Sequence, residues 1–277
     1  MNEQVLQFGE QGRLVGILAS DGATQGAPLG VIIPNTGVDH RVGPNRLHVH
    51  LSRALAESGI PVLRMDLTGM GDSLTAPSGA ASDSVRDMRD ALDLMESRNI
   101  AARYAVVGIC SGGHDAHHLA VSDKRISAAA FVDHYTYPTA QFKRNFWKER
   151  LTDPRRAGNF ARRMFSSKKG DKASFRSDQV EIFEQPDADT FQAHVEQFIA
   201  RQMNLFFLYT GEIQNLYNYS DQLFDAFPVL AQYPGAVCHY EPKADHTFSR
   251  INMRVQLIEL LLNWLASFKD IAAARPS

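Results

Sequence analysis

The order of apolar and polar positions along the chain predicts short strands that alternate with amphipathic helices. Apolar runs rich in valine, isoleucine and phenylalanine recur at the length of buried strands, separated by stretches with helical spacing. This alternation is typical of a mostly parallel sheet with helices on its faces, and glycines after the first strand predict an initial hairpin. The predicted strands are Val5–Phe8, Leu14–Ala19, Gly30–Pro34, Pro61–Leu67, Tyr104–Gly108, Ile126–Val132, Leu205–Tyr209 and Ala236–Tyr240.

Apolar residues with helical spacing predict the helices that connect these strands. Pro44 precedes a helix that contains Leu47, Leu51 and Leu55 and that ends at Gly59. The other predicted helices begin at a cap formed by Ser82 or Asp83, follow Cys110 as far as Ser122, and run from Asn252 to Phe268.

The pattern changes between about residues 134 and 203. This stretch is rich in charged and aromatic residues, and its pattern predicts helices and loops instead of strands. We therefore predict an α/β core made of residues 1–134 and 201–277, interrupted by a helical cap at residues 135–200.

Composition narrows the class of protein. The chain has 277 residues, 44% of them hydrophobic, which suffices for one large domain with an insertion. The net charge of −2 provides no overall basic field for nucleic acid. Two cysteines, Cys110 and Cys238, do not make a disulfide framework, so we expect a reducing compartment. Neither a signal peptide nor a membrane span is evident, and a cytoplasmic protein is expected.

The segment Gly108–Gly113 joins a predicted strand directly to a predicted helix. A nucleophile on such a sharp turn needs small neighbours, and glycine stands two positions before and two after Cys110. The positive end of the following helix also favours a thiolate. A shift of one residue would make Ser111 the nucleophile, but Ile109 would then occupy a crowded position. Cys110 is therefore the favoured nucleophile, against the plain alternative of a buried structural cysteine.

These segments resemble known enzymes. The Gly-Ile-Cys-Ser-Gly-Gly turn is similar to the elbow of dienelactone hydrolases, which carry a Cys-His-Asp triad. A longer pattern resembles bacterial α/β-hydrolases associated with exosortase and polysaccharide gene clusters. It comprises the turn together with Asn35–Gly37, His40–Pro44, Asp66–Ser73 and Asp245–Ser249. The resemblance implies the α/β-hydrolase fold and covers most of residues 30–125 and 205–265, but not the insertion.

A cysteine or serine nucleophile of this kind needs a histidine base and an acidic partner for that base. His246 lies after the last predicted strand, where this fold places its base. The usual place for the acid follows the strand that ends at Tyr209, and there we favour Glu212. Asp133 and Asp221 are the alternatives.

Two backbone N–H groups should bind the oxyanion. We expect one from Ser111, after the nucleophile, and one from Thr36, on the loop after the strand Gly30–Pro34. His40 and Arg41 follow this loop and either contact the substrate or face solvent.

A cluster of three histidines follows the turn. His114, His117 and His118 have helical spacing, but no glutamate or cysteine completes a convincing metal set. We therefore expect neither a metal nor a cofactor.

The predicted cap is strongly basic. This charge indicates either a solvated face or a lid that attracts an anionic acyl donor, such as coenzyme A or an acidic acyl carrier protein. We predict hydrolysis of an ester, lactone or thioester; the alternative is acyl transfer to an alcohol or amine, and a non-catalytic binding protein is less favoured. The basic residues are Lys143, Arg144, Lys148, Arg150, Arg155, Arg156, Arg162, Arg163, Lys168, Lys169, Lys172 and Arg176.

Overall fold

One eight-stranded sheet organises the computed structural model, which describes residues 1–22, 25–76, 83–152 and 185–273. The strands are β1 (Asn2–Phe8), β2 (Leu14–Ser20), β3 (Gly30–Ile33), β4 (Val62–Asp66), β5 (Tyr104–Ile109), β6 (Ile126–Val132), β7 (Asn204–Thr210) and β8 (Ala236–Glu241). Every predicted strand is found, with small differences in its ends.

Helices connect the strands and cover the sheet. In the described ranges they are α1 (Leu47–Glu57), α2 (Ser84–Ser97), α3 (Ser111–Ser122), α4 (Ala140–Thr152), α5 (Ala188–Ala200), α6 (Gln222–Ala226), α7 (Pro228–Ala231) and α8 (Ile251–Ala273). Short 3-10 turns occur at Glu10–Gly12, Pro44–Arg46 and Gly211–Ile213. None of the helices in this part of the chain is long and apolar enough to span a membrane.

The strand order is β1-β2-β4-β3-β5-β6-β7-β8. Strand β2 runs antiparallel to both β1 and β4, so the predicted hairpin is confirmed. All other neighbouring pairs are parallel. This mostly parallel sheet with flanking helices confirms the predicted α/β-hydrolase fold class.

The parallel register brings the ends of the central strands together. Ile109 pairs with Val132, and Val132 pairs with Leu208, so β5, β6 and β7 finish at nearly the same level. The residues that follow these strands therefore meet at one edge of the sheet, the edge where ligands bind in open parallel sheets.

Alternate side chains of each central strand enter two separate apolar layers. Ile32 packs in the layer that contains residues of α2, α3 and α5, whereas Val31 and Ile33 pack in the layer that contains residues of α1 and α8. Opposite faces of a strand carry successive residues, so a sheet buried on both faces requires the continuous apolar runs that the sequence contains.

The predicted cap is described only at its two ends, α4 and α5; the basic residues from Arg155 to Arg176 lie outside the described residues. Helix α5 packs with the core, because Phe191, Val195 and Phe198 are buried in the layer that also contains α3. The guanidinium of Arg201 donates hydrogen bonds to the carbonyl oxygens of Ala120, Asp123 and Ile126. The end of the predicted cap is thus anchored beside the sheet.

Candidate active site

Cys110 occupies a sharp turn between β5 and α3. Its φ and ψ angles are 55° and −121°, a strained conformation for a residue with a side chain. A Cβ atom at Gly108 would lie 2.2 Å from the carbonyl oxygen of Gly112, and one at Gly112 would lie 2.4 Å from that of Asn35. The two flanking glycines are therefore required by the close approach of the backbone, as the sequence pattern predicted.

Hydrogen bonds hold this turn at the carboxyl edge of the sheet. The N–H of Cys110 donates to the carbonyl oxygen of Val132 over 2.9 Å, and the N–H of Gly113 donates to the carbonyl oxygen of Cys110 over 2.9 Å. Helix α3 begins at Ser111. The thiol thus lies at the positive end of a helix, where backbone N–H groups have no acceptor within the helix.

His246 reaches the turn from the loop between β8 and α8. Asp245 shapes this loop by accepting hydrogen bonds from the backbone N–H groups of Thr247 and Ser249. The imidazole of His246 hydrogen-bonds with Asp133, and Cys110 lies close enough to the ring to raise its pKa. The structure therefore brings together the thiol and the imidazole, which are separated by 136 positions in the chain.

The carboxylate that contacts the imidazole belongs to Asp133. Its Oδ2 atom lies 2.7 Å from Nδ1 of His246, and its side chain is fully buried. Thr210 fixes this carboxylate by donating from its backbone N–H and its hydroxyl, each over 2.7 Å. Asp133 itself has a φ of 49°, a left-handed conformation that aspartate and asparagine adopt more readily than most residues.

The expectation that Glu212 contacts the imidazole is wrong. Its Oε2 atom accepts the backbone N–H of His246 over 2.6 Å, so Glu212 holds the loop and Asp133 holds the ring. Asp221 precedes the short helix α6, and its backbone carbonyl oxygen accepts the N–H of Asp225. Asp133, the alternative acid at the end of β6, is the carboxylate that contacts the ring.

The environment of His246 favours its charged form. Burial lowers the pKa of the imidazole, but the hydrogen bonds with Asp133 and Cys110 and the charges of these groups outweigh burial and raise it to about 10. The raised pKa helps the ring to hold a second proton, which it can donate toward the turn.

The loop after β3 contacts the first turn of α3. The N–H of Gly37 donates to the hydroxyl of Ser111. Ser111 is buried, so its side chain faces the loop and not the solvent. Thr36 stands next to Gly37 and accepts the N–H of Asp39 at its carbonyl oxygen over 3.0 Å. The backbone N–H groups of Thr36 and Ser111, the predicted oxyanion donors, thus belong to two segments that touch each other.

A buried polar cluster anchors this loop. The carboxylate of Asp66 is fully buried and accepts from the amide side chain of Asn35 and from both the backbone and the guanidinium of Arg41. Asn35 in turn accepts the N–H of Leu67 over 2.6 Å. Arg41 also pairs with Asp72, so its guanidinium is engaged within the protein and does not face solvent freely. The segments around Arg41 and Asp66 are therefore architectural.

Behind the turn lies a group of histidines. His117 and His134 are buried with their rings 5.3 Å apart, and Nε2 of His117 is 2.9 Å from Nδ1 of His194 on α5. Nδ1 of His114 shares a hydrogen bond of 2.7 Å with the hydroxyl of Tyr135. Among the described residues, no set of three or more histidine, cysteine or acidic side chains has the geometry to hold a metal ion.

Comparisons with known proteins agree with this fold. The chain matches the family model described as the alpha/beta hydrolase family over residues 38–259. A search of curated proteins finds no match to the sequence.

Several solved structures share the fold at low sequence identity. The esterase Pf2001 of Pyrococcus furiosus superposes with a TM-score of 0.63 at 12% identity, covering 96% of this chain and 91% of that one. The Xanthomonas campestris protein XC6422, described as an a/b serine hydrolase without lid, gives 0.53 at 15% identity and covers 97% and 95%. Dienelactone hydrolase from Anabaena variabilis gives 0.55 at 14% identity and covers 96% and 99%. Such identities show the fold alone; because the family model spans most of the chain, this protein belongs to the alpha/beta hydrolase family.

Proposed function

We propose that this protein is an acyl hydrolase that works through a covalent acyl group on Cys110, with His246 as the acid and base and Asp133 as its orienting carboxylate. The observation that carries the proposal is the placement of Cys110 beside His246, whose ring hydrogen-bonds with Asp133, at the carboxyl edge of the sheet. The resemblance of the turn to the dienelactone hydrolase elbow supports the same proposal. The resemblance of the chain to hydrolases of exosortase gene clusters stays a prediction.

Acylation begins from a thiolate paired with the charged imidazole. The sulfur attacks the carbonyl carbon of the ester, lactone or thioester, and the carbonyl oxygen gains negative charge. The backbone N–H groups of Ser111 and Thr36 are the proposed donors to this oxygen. When the intermediate collapses, the bond to the leaving group breaks, and His246 gives its proton to the departing oxygen or sulfur.

Deacylation requires His246 to act as a base. Once the sulfur is acylated its charge is gone, and one of the causes that raise the pKa of His246 is lost. The imidazole, which gave its proton to the leaving group, therefore stays neutral and can accept one from water. The oxygen of water attacks the thioester carbon, the carbon–sulfur bond breaks, and the thiolate is regenerated with a free acid as the product.

If an acceptor other than water attacked the same intermediate, the protein would be an acyl transferase. The observation that favours this second candidate is the cysteine on the turn, because the acyl group then resides in a thioester, which reacts well with amines and thiols. Coenzyme A and an acidic carrier protein stay the predicted donors. Products formed with and without an added amine or alcohol separate hydrolysis from transfer.

Two matched variants test the nucleophile. Cys110→Ala should lower turnover of p-nitrophenyl acetate and of a short acyl thioester by at least about a thousandfold, the scale of losing a catalytic nucleophile. Ser111→Ala should retain the activity within about tenfold, because it keeps the backbone N–H and loses only the contact with Gly37. A fall in Ser111→Ala that matches or exceeds that of Cys110→Ala would move the nucleophile to the serine.

Cys238 supplies the control. Burial raises the pKa of its thiol to about 12, and its sulfur lies 3.4 Å from the hydroxyl of Tyr217. At neutral pH iodoacetamide should therefore label one thiol in the wild type and in Cys238→Ala, and none in Cys110→Ala. Equal labelling of Cys110→Ala and the wild type would contradict a reactive thiol at the turn.

A further inference from the structure

His48 is a polar residue in an apolar setting. It occupies the second position of α1 and is fully buried, and α1 packs in the apolar layer that contains its neighbours Leu47 and Leu51. Its Nε2 atom lies 3.0 Å from the hydroxyl oxygen of Thr36. An apolar residue would fill this position at less cost, because burying a polar group is unfavourable unless its hydrogen bond compensates. The contact with Thr36 is thus the feature that calls for explanation.

The direction of this hydrogen bond follows from the state of the ring. Burial, aided by the charge of Arg64, lowers the pKa of His48 to about 3, so the imidazole is neutral and has a single N–H. Nδ1 has no hydrogen-bond partner among the described residues. Buried N–H groups without an acceptor are rarer than buried acceptors without a donor, which places the proton on Nε2. His48 then donates to the hydroxyl of Thr36.

The backbone also confines the ring. Gly43 has a φ of 70°, and a Cβ atom at this position would lie 2.5 Å from Cγ of His48. The chain therefore closes over the imidazole through a glycine and leaves it little room to swing away. His48 is a fixed point from which the side chain of Thr36 can be held.

The residues on either side of Thr36 are held by other contacts. Asn35 is bound through its side chain to Leu67, and Gly37 is bound through its N–H to Ser111. The bond to His48 is the side-chain contact of residue 36 itself, and it restricts rotation of the peptide units that meet there. One of those units carries the N–H that the proposed function assigns to the oxyanion.

We propose that His48 is a positioning residue: by donating to the hydroxyl of Thr36 it holds the N–H of that residue in the direction of the negatively charged oxygen formed on the substrate. The inference rests on the proposed function, since it presumes an acyl group transferred to Cys110. His48 acts through Thr36 and is not itself expected to touch the substrate.

Two reactions of the same sulfur separate this role from a general effect on folding. Acylation by p-nitrophenyl acetate forms an oxyanion, whereas alkylation by iodoacetamide needs the thiolate but forms none. In His48→Met, which fills the space without a donor, the acylation rate constant should fall about ten- to a hundredfold, below the 10²–10³ typical of deleting an oxyanion donor. Alkylation should stay within about twofold. His48→Gln offers an N–H at a similar distance and should recover most of the acylation rate.

Variants of the partner test the same bond independently, should His48→Met fail to fold. Thr36→Val removes the hydroxyl and keeps the shape, so it should lose acylation selectively, whereas Thr36→Ser should keep most of it. If His48→Met folds, combining it with Thr36→Val should add little to either loss, because both remove one hydrogen bond.

Each outcome bears on the inference. Acylation that is unchanged in His48→Met or in Thr36→Val overturns it, and so does a parallel fall in acylation and alkylation, which would indicate a structural role only. A wild type that alkylates at Cys110 but forms no acyl adduct overturns the proposed function first, and the role of His48 with it. A wild type that acylates normally, with His48 variants that match it, overturns this inference alone.

Discussion

Replacing Asp133 by asparagine changes the group that the imidazole contacts without adding backbone strain. Asparagine tolerates the left-handed φ of 49° at this position. The single oxygen of its amide should face the N–H of Thr210, which donates to Oδ1 over 2.7 Å in the wild type. The NH₂ group is then directed at Nδ1 of His246. An imidazole nitrogen that faces a donor must be the acceptor, so the proton moves to Nε2 and the ring can no longer take one from the side of Cys110.

The size of the effect follows from the bond that is lost. A hydrogen bond to a charged group contributes about 1.5–3 kcal/mol, which corresponds to about a 10- to 150-fold fall in kcat/KM. The wrong tautomer adds to this loss, and in serine protease triads the equivalent change lowers kcat by about 10⁴. Glu212→Gln is the matched control. Glutamine keeps an oxygen for the backbone N–H of His246, so the change should be less than about threefold, the scale of an exposed substitution.

Two measurements decide the matter. The kcat/KM for p-nitrophenyl acetate should fall at least about tenfold in Asp133→Asn and hardly change in Glu212→Gln. An NMR titration of the His246 ring should show a pKa well below that of the wild type in Asp133→Asn, because the carboxylate that raises it is gone. A variant Asp133→Asn that stays within threefold, beside a Glu212→Gln that loses more than tenfold, would refute this assignment of the acid.

Three further substitutions test the packing around the site. Asp66→Asn should lower the free energy of unfolding by about 1.5–3 kcal/mol in urea titrations, because the buried carboxylate that accepts from Asn35 and Arg41 loses its charge and only the exposed Asp72 is left as a charged partner of Arg41. Asp72→Asn should cost less than about 1 kcal/mol, and equal losses would contradict the anchoring role. Burial holds the pKa of His134 well below 6.5, so below that pH the unfolded chain binds a proton that the folded chain does not. The free energy of unfolding therefore falls as the pH drops below about 6.5, by up to about 2 kcal/mol at pH 5. In His134→Phe the decline in Tm between about pH 7 and pH 5 should be smaller, and an equal decline would rule out this contribution. Gly108→Ala should destabilise the fold by at least about 1–3 kcal/mol, since its Cβ would meet the carbonyl oxygen of Gly112 at 2.2 Å, and wild-type stability would contradict that close approach.

The sheet was predictable because its strands are buried on both faces. Continuous apolar runs such as Leu205–Tyr209 are typical of buried strands at that length, and the glycines around Cys110 mark the turn that follows β5. His246 was predictable from its place between the last strand and the last helix. These inferences depend on local pattern and chain order, which a sequence displays directly.

The acid and His48 depend on three-dimensional relations. Asp133 reaches His246 through its left-handed conformation and through the pairing of β6 with β7, which brings Thr210 alongside; neither is readable from composition or spacing. Glu212 stood at the more usual position in the chain order, yet its carboxylate accepts the backbone N–H of His246. His48 lies in the same helix as Leu47 and Leu51, and its partner Thr36 is twelve positions away, so no local pattern links the two side chains.

Location of the acyl group tests the central claim most directly. The protein is incubated with a short acyl thioester, quenched in acid and digested, and the peptide that contains Gly108–Gly113 is sequenced by mass spectrometry. We predict one acyl group on the sulfur of Cys110, released by hydroxylamine at neutral pH and missing in Cys110→Ala. An acyl group on the hydroxyl of Ser111, or an adduct that persists in Cys110→Ala, would contradict the account.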